Sequence, residues 1–142
     1  MSIYIFDFDG VLAIPWTQPE IPFPNVIVFL RDLHSTGKKL CLASYNPAAV
    51  RALESWGVSN LFTAMRAGSN KPWSGNYTEE YRIGMSKSKQ IKDMLVNELY
   101  PHKAEDCVFF DDTIENIALV NRELPQVHTI LIDTIRGLGQ FF

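Results

Sequence analysis

Cysteine is scarce in this sequence: Cys41 and Cys107 are all it has in 142 residues. Both fall in apolar segments that read as core strands, so buried reduced thiols are expected, and a disulfide framework is excluded as the source of stability. Long hydrophobic runs are missing too. No apolar stretch approaches the roughly 20 residues needed to span a bilayer. The first residues lack the basic-then-apolar pattern of a secretory leader. Nor does one charge dominate: 13 Lys and Arg against 16 Asp and Glu leave a net charge of −3, which gives no footprint for duplex nucleic acid or acidic membrane. The one local basic zone (Lys71, Arg82, Lys87, Lys89 and Lys92) reads mostly as a solvated face. These absences suit a reducing cytoplasm. Repeats, low-complexity segments and an interdomain linker are lacking as well, so residues 1–142 are expected to form a single domain.

What is present is an alternation of apolar strands and amphipathic helices. Ile3-Tyr4-Ile5-Phe6 reads as a first strand. The stretch 11–24 follows, where Pro15, Pro19, Pro22 and Pro24 forbid a regular helix or central strand. A helix fits 25–35, with Val26, Phe29, Leu30 and Leu33 on one face, then a strand over 39–43 and a helix from Pro47 to about Trp56. A third strand is expected over 60–66. A long unassigned loop covers 67–86, with Trp73, Tyr77 and Tyr81 in it. A helix over 88–99, a strand ending at Phe110, a helix over 113–123, a strand over 127–132 and a short terminal helix complete the reading. Such alternation argues for an α/β, Rossmann-like, doubly wound and mainly parallel five-stranded sheet with right-handed crossovers.

Two acidic patches carry the chemistry: Asp7-Phe8-Asp9-Gly10 after the first strand and Asp111-Asp112 after the fourth. Carboxylates at the carboxyl ends of two parallel strands converge on the edge where open α/β sheets bind ligands. Asp7 and Asp9, two apart, point to one side of the sheet if the chain stays extended, with Phe8 opposite. Four crowded acids repel one another unless a cation lies between them, so a divalent metal is expected. Taken alone, the first patch reads equally well as a solvated polar turn. Ser44 ends the second strand before a helix N-terminus, where a hydroxyl and free amides bind anions. Lys87 stands at a helix start and can neutralise the same anion, although Lys89 is two residues away. Singly, Ser44 and Asp112 read as N-caps and Lys87 as a surface lysine. Their order along the chain, each at the end of an element, is what argues against chance.

Asp7-Phe8-Asp9-Gly10-Val11-Leu12, Ser44, Lys87 and Asp111-Asp112-Thr113-Ile114-Glu115-Asn116 resemble, in order and over essentially the whole chain, the four motifs of the haloacid dehalogenase superfamily. Within it the spacing looks most like the small magnesium-dependent phosphatases without a large cap, with Ser86-Lys87 and Phe109-Phe110-Asp111-Asp112 the nearest similarities. The resemblance implies an aspartyl-phosphate mechanism. Asp7 would be the nucleophile, and Asp9 the acid for the leaving oxygen and then the base for water. Mg²⁺ would be held by the Asp7 carboxylate, the Asp9 backbone carbonyl and Asp112, with Asp111 as an outer partner. Ser44 and Lys87 would bind the phosphoryl oxygens. Lys87 is preferred to Lys89 because it lies four residues before the inward Ile91. Asn46 is expected chiefly to cap the following helix, with phosphate binding or ordering of the turn after Ser44 as the alternative, and Asn116 to bond a metal-bound water.

Large members of that superfamily carry a cap domain. Here 11–24 is too short to fold alone and the interval from Ser44 to Lys87 is largely used by a core helix and strand, so an open site with a short flap is expected. An open site suits a macromolecular phosphorylated substrate, or a small ester roofed by oligomerisation. Trp16, Trp73, Tyr77 and Tyr81 are candidate contacts, though loop aromatics more often pack back on the domain. The resulting expectation is a Mg²⁺-dependent phosphomonoester hydrolase. The competing readings are a non-catalytic receiver-like phosphoacceptor and a phosphotransferase using the same intermediate.

Overall fold

The structure is a computed structural model that describes residues 2–68 and 86–138. In chain order its elements are β1 (Ile3–Phe6), β2 (Ala13–Ile14), β3 (Ile21–Pro22), α1 (Val26–Ser35), β4 (Lys39–Ser44), α2 (Ala49–Ser55), β5 (Phe62–Ala67), α3 (Lys87–Val96), β6 (Cys107–Asp111), α4 (Ile114–Glu123) and β7 (His128–Leu131). Five strands form one sheet in the order β5-β4-β1-β6-β7, and every neighbouring pair is parallel. The doubly wound α/β fold expected from the alternation is therefore observed.

Alternation along the strands divides the core into two layers. Phe6, Leu40, Leu42, Val108 and Phe110 face α1 and α2, joined by Val26, Leu30 and Leu53. Ile3, Ile5, Cys41, Ala43, Cys107 and Phe109 face α3 and α4, against Ile91, Met94, Ile117 and Val120. Phe6 stacks on Phe110 across the central strand pair at 5.0 Å between ring centroids. Both cysteines are free and buried, and burial pushes each thiol up to about 12. They are inert packing residues, as expected.

Three expectations shift in detail. Ser59–Leu61 is a 3₁₀ turn, closed by the Leu61 amide donating to the Val58 carbonyl at 3.0 Å, so β5 starts two residues later than the apolar pattern implied. Leu99 is buried but lies beyond α3, its amide folding back to the Met94 carbonyl at 2.9 Å. The proline-rich stretch holds a small antiparallel ribbon, Ala13 pairing with Pro22 and Ile14 with Ile21. Proline is tolerated there because the ribbon stands apart from the main sheet. Phe23 packs in the core and its amide donates to the Leu12 carbonyl at 3.0 Å, while the Trp56 indole donates to the Glu20 carbonyl at 3.2 Å. Of the last ten residues, 133–138 form a turn with the Gly137 amide on the Asp133 carbonyl. The loop 69–85, with Trp73, Tyr77 and Tyr81, and the final four residues lie outside the described residues. Among the described residues no helix is long and apolar enough to cross a membrane, and no cap domain is present.

Candidate active site

Strand alternation delivers the acids. Asp7 continues the side of β1 that carries Ile3 and Ile5, and Asp111 continues the side of β6 that carries Cys107 and Phe109. The register pairs Phe6 with Phe110, so Asp7 and Asp111 come side by side, the Asp7 amide donating to the Phe110 carbonyl at 2.9 Å. Phe8 turns the other way and stacks on Trp56 at 5.4 Å. Asp7 and Asp9 both line a cavity of about 500 Å³. The one-sided placement expected from their spacing is observed.

Two buried carboxylates on adjacent strands need a cation between them. Lys87, the first residue of α3, supplies it. Its Nζ donates to Asp7 Oδ1 at 2.7 Å, to Asp111 Oδ2 at 2.9 Å and to the Ala43 carbonyl at 2.8 Å. All three ammonium protons are thereby used, and the side chain is 1% exposed. Burial pulls the Lys87 ammonium down, but Asp7 and Asp111 outweigh it and hold its pKa above the usual lysine value. Burial pushes the Asp7 carboxyl up to about 7, with Lys87 opposing and Asp111 adding to the rise. Lys89 is exposed; its amide donates to Ser86 Oγ at 3.2 Å, capping α3. Of the two lysines, Lys87 is the one in the cavity.

Asp111 is fully buried and accepts from the Thr113 amide at 2.8 Å and from Asn116 Nδ2 at 3.2 Å, besides Lys87. Asn116 thus holds Asp111 directly. Asp112 accepts from the Thr134 hydroxyl at 2.9 Å and the Thr113 hydroxyl at 3.3 Å. Carboxylate oxygens of Asp7, Asp111 and Asp112 lie within 4.8 Å of one another. Carboxylate oxygens are hard donors, so such a cluster suits a hard divalent cation rather than a softer metal. Gly10 closes the turn with φ +80°, and a Cβ there would run into the Asp112 carboxylate, 2.6 Å from its Cγ. Glycine is required by both the backbone and the close approach.

Asp9 sits half-buried, its Oδ2 accepting from Asn46 Nδ2 at 3.1 Å. Burial lifts its pKa, Asn46 opposing. Asn46 has three further bonds: its Oδ1 accepts the Ala48 amide at 2.9 Å, its carbonyl accepts the Ala49 amide at 3.1 Å, and its own amide donates to Ser44 Oγ at 3.0 Å. It orders the turn and ties Asp9 to the end of β4, whereas the capping position of α2 that was expected of it falls to Ala48. Ser44 is buried on the cavity wall, its carbonyl fixed by Gln90 Nε2 at 2.9 Å. Asp7, Asp9, Ser44, Lys87 and Asp112 thus line this one cavity with Asp111 directly behind, while Lys89 stays outside it.

Tyr45 and Thr134 were missed. The Tyr45 hydroxyl accepts the Lys87 amide at 3.0 Å, and its ring lies 4.9 Å from the Lys87 Nζ. Adjacency to Ser44 was the available signal for Tyr45. For Thr134 it was position just past β7, since strand ends line the site.

No protein-family model matches this sequence, and no curated protein matches it. Solved structures do. A haloacid dehalogenase-like family hydrolase from Streptococcus pneumoniae superposes with a TM-score of 0.71 at 14% identity, over 99% of this chain and 90% of that one. The fold is the haloacid dehalogenase-like fold. The N-terminal part of a Bacteroides fragilis protein, containing a phosphatase domain complexed with Mg, shares this fold with a TM-score of 0.69 at 14% identity. That match spans 99% of this chain and 39% of the other. A Moraxella catarrhalis 3-deoxy-D-manno-octulosonate 8-phosphate phosphatase, in complex with magnesium, phosphate and its sugar, follows at 0.58 and 14% identity, over 85% and 63% of the two chains. Solved examples of this fold thus include Mg-complexed phosphatases, and the Asp7, Asp111 and Asp112 cluster could bind a metal.

Proposed function

We propose that this protein is a Mg²⁺-dependent phosphomonoester hydrolase working through an aspartyl-phosphate on Asp7. The observation that carries the reading is the buried Asp7–Lys87–Asp111 bridge, beside Asp112, on the floor of a cavity that also takes in Asp9 and Ser44. A carboxylate beside an ammonium on a cavity wall, with its neighbours fixed by amides and hydroxyls, supports a nucleophilic role for Asp7. Asp7, Asp112 and the Asp9 backbone carbonyl would hold the metal, and Asp111, saturated with N–H donors, would sit behind them. Bound Mg²⁺ offsets the repulsion between Asp7 and an anionic phosphate.

A carboxylate oxygen of Asp7 attacks phosphorus as the bond from phosphorus to the ester oxygen breaks. Asp9, whose pKa is lifted by burial, delivers its proton to the departing oxygen. Asp9 then takes a proton from water as that water attacks the phosphoryl group, the phosphorus–Asp7 bond breaks, and inorganic phosphate leaves. Ser44 and the charge of Lys87 balance the phosphoryl oxygens throughout. Incubation with a generic aryl phosphate, with and without Mg²⁺, tests this, together with acid trapping of covalent phosphate. Metal-dependent turnover and a trapped Asp7 phosphate are expected. Stoichiometric phosphorylation without turnover would make the chain a receiver-like phosphoacceptor instead.

A further inference from the structure

The cavity mouth carries a pattern that phosphate chemistry does not use. Pro15, Trp16 and Ile135 form it, with Trp16 completely exposed and Ile135 83% exposed. Loop aromatics usually pack back on the domain, and Trp16 does not. It also holds φ +66°, a strained conformation for a bulky side chain. The flap is tied down around it. The Thr17 hydroxyl donates to the Ile14 carbonyl at 2.8 Å and accepts the Ile21 amide at 3.1 Å.

Trp16 also borders a second cavity of about 410 Å³, which shares Asp9, Pro15 and Asn46 with the first and adds Thr17, Gln18 and Glu20. A molecule with its phosphate on the Asp7 floor and its leaving group reaching outward therefore passes the indole. Among the described residues lining the two cavities, Lys87 is the one cation, and its ammonium is committed to Asp7, Asp111 and Ala43. Asp9 and Glu20 make the outer space acidic, so a second anionic group would meet repulsion there.

On the phosphatase reading, we infer that Trp16 selects the substrate by stacking on a flat, uncharged ring in the leaving group of the phosphate ester. Such stacking contributes about 5- to 100-fold in affinity for ring-bearing ligands. A nucleoside 5′-monophosphate and ribose 5-phosphate make a matched pair, because the departing oxygen is the same and only the base differs. The wild type is expected to favour the nucleotide in kcat/KM by at least about fivefold. Trp16→Ala brings that ratio toward one, mainly through KM, and Trp16→Phe keeps most of it. Equal use of the pair by the wild type, or a ratio unmoved by Trp16→Ala, overturns the inference while leaving the hydrolase standing. If neither ester is turned over, the hydrolase reading fails for these esters and stacking is read from binding. The nucleotide should then quench the intrinsic fluorescence of the wild type and not of Trp16→Phe, and identical responses overturn the inference.

Discussion

The Lys87 ammonium lies 2.7 Å from Oδ1 of Asp7, a residue 80 positions earlier in the chain. The same ammonium reaches Asp111, so one cation bridges two carboxylates that would otherwise repel each other. Replacing Lys87 by Met leaves both carboxylates buried without that partner. Breaking a buried pair in this way costs about 3–5 kcal/mol. Denaturant titration should show that loss without metal and a partial recovery in millimolar Mg²⁺, the cation that takes over the charge. A variant as stable as the wild type in both conditions would refute the bridging role.

Asp7→Asn should abolish trapped phosphate and lower turnover by at least about a thousandfold. Without metal it should also melt a few degrees higher than wild type at pH 8, because a buried carboxylate that resists ionisation is replaced by a neutral amide. Scanning calorimetry beside a steady-state assay checks both halves.

Asp9→Asn separates the two chemical steps. With an aryl phosphate, whose leaving oxygen needs little protonation, Asp7 should still be phosphorylated, while hydrolysis slows by about 10² to 10⁴. Covalent phosphate should then accumulate and be visible in the intact mass. A burst-free, fully active variant would remove Asp9 from catalysis.

Gly10→Ala forces a Cβ against Asp112 and against the Thr134 hydroxyl, 2.7 Å away, in a left-handed backbone. Asp112 must move, so Mg²⁺ affinity should fall more than tenfold by calorimetric titration, and the backbone strain should remove about 1–2 kcal/mol of stability. Unchanged affinity would mean that Asp112 is not a ligand.

The metal-free protein should lose stability as pH rises from about 4 to about 7 and level off above. Asp7 is lifted from its ordinary 3.8 to about 7, so over that range the folded state keeps a proton that the unfolded chain has already released. Lys87, held above its usual value by Asp7 and Asp111 against the pull of burial, contributes stability at all lower pH and loses it only in the alkaline range. Chemical denaturation at stepped pH in chelator reads the slope. A stability that rises through this window would contradict the raised Asp7 pKa.

The strand and helix order was legible in the sequence because apolar periodicity is a local property, as in Ile3–Phe6 and in Cys107–Phe110. The two acidic patches were legible for the same reason, each following its own strand. The 3₁₀ turn at Ser59–Leu61 was not, since its apolar residues fit a strand equally well until the Val58 carbonyl claims the Leu61 amide. The ribbon of Ala13–Ile14 with Ile21–Pro22 was hidden by prolines that rule out a central strand and permit an isolated one.

By itself the sequence determined which chemical groups the molecule owns and at which element ends they stand, because hydrophobic spacing and residue type act over a few neighbours. The tertiary structure decided that Asp7 and Asp111, each just beyond the Phe6–Phe110 pair, share Lys87, that Asn46 grips Asp9, and that Trp16 stays in water at the rim. Those outcomes depend on strand register and on contacts between residues tens of positions apart, which no local pattern encodes.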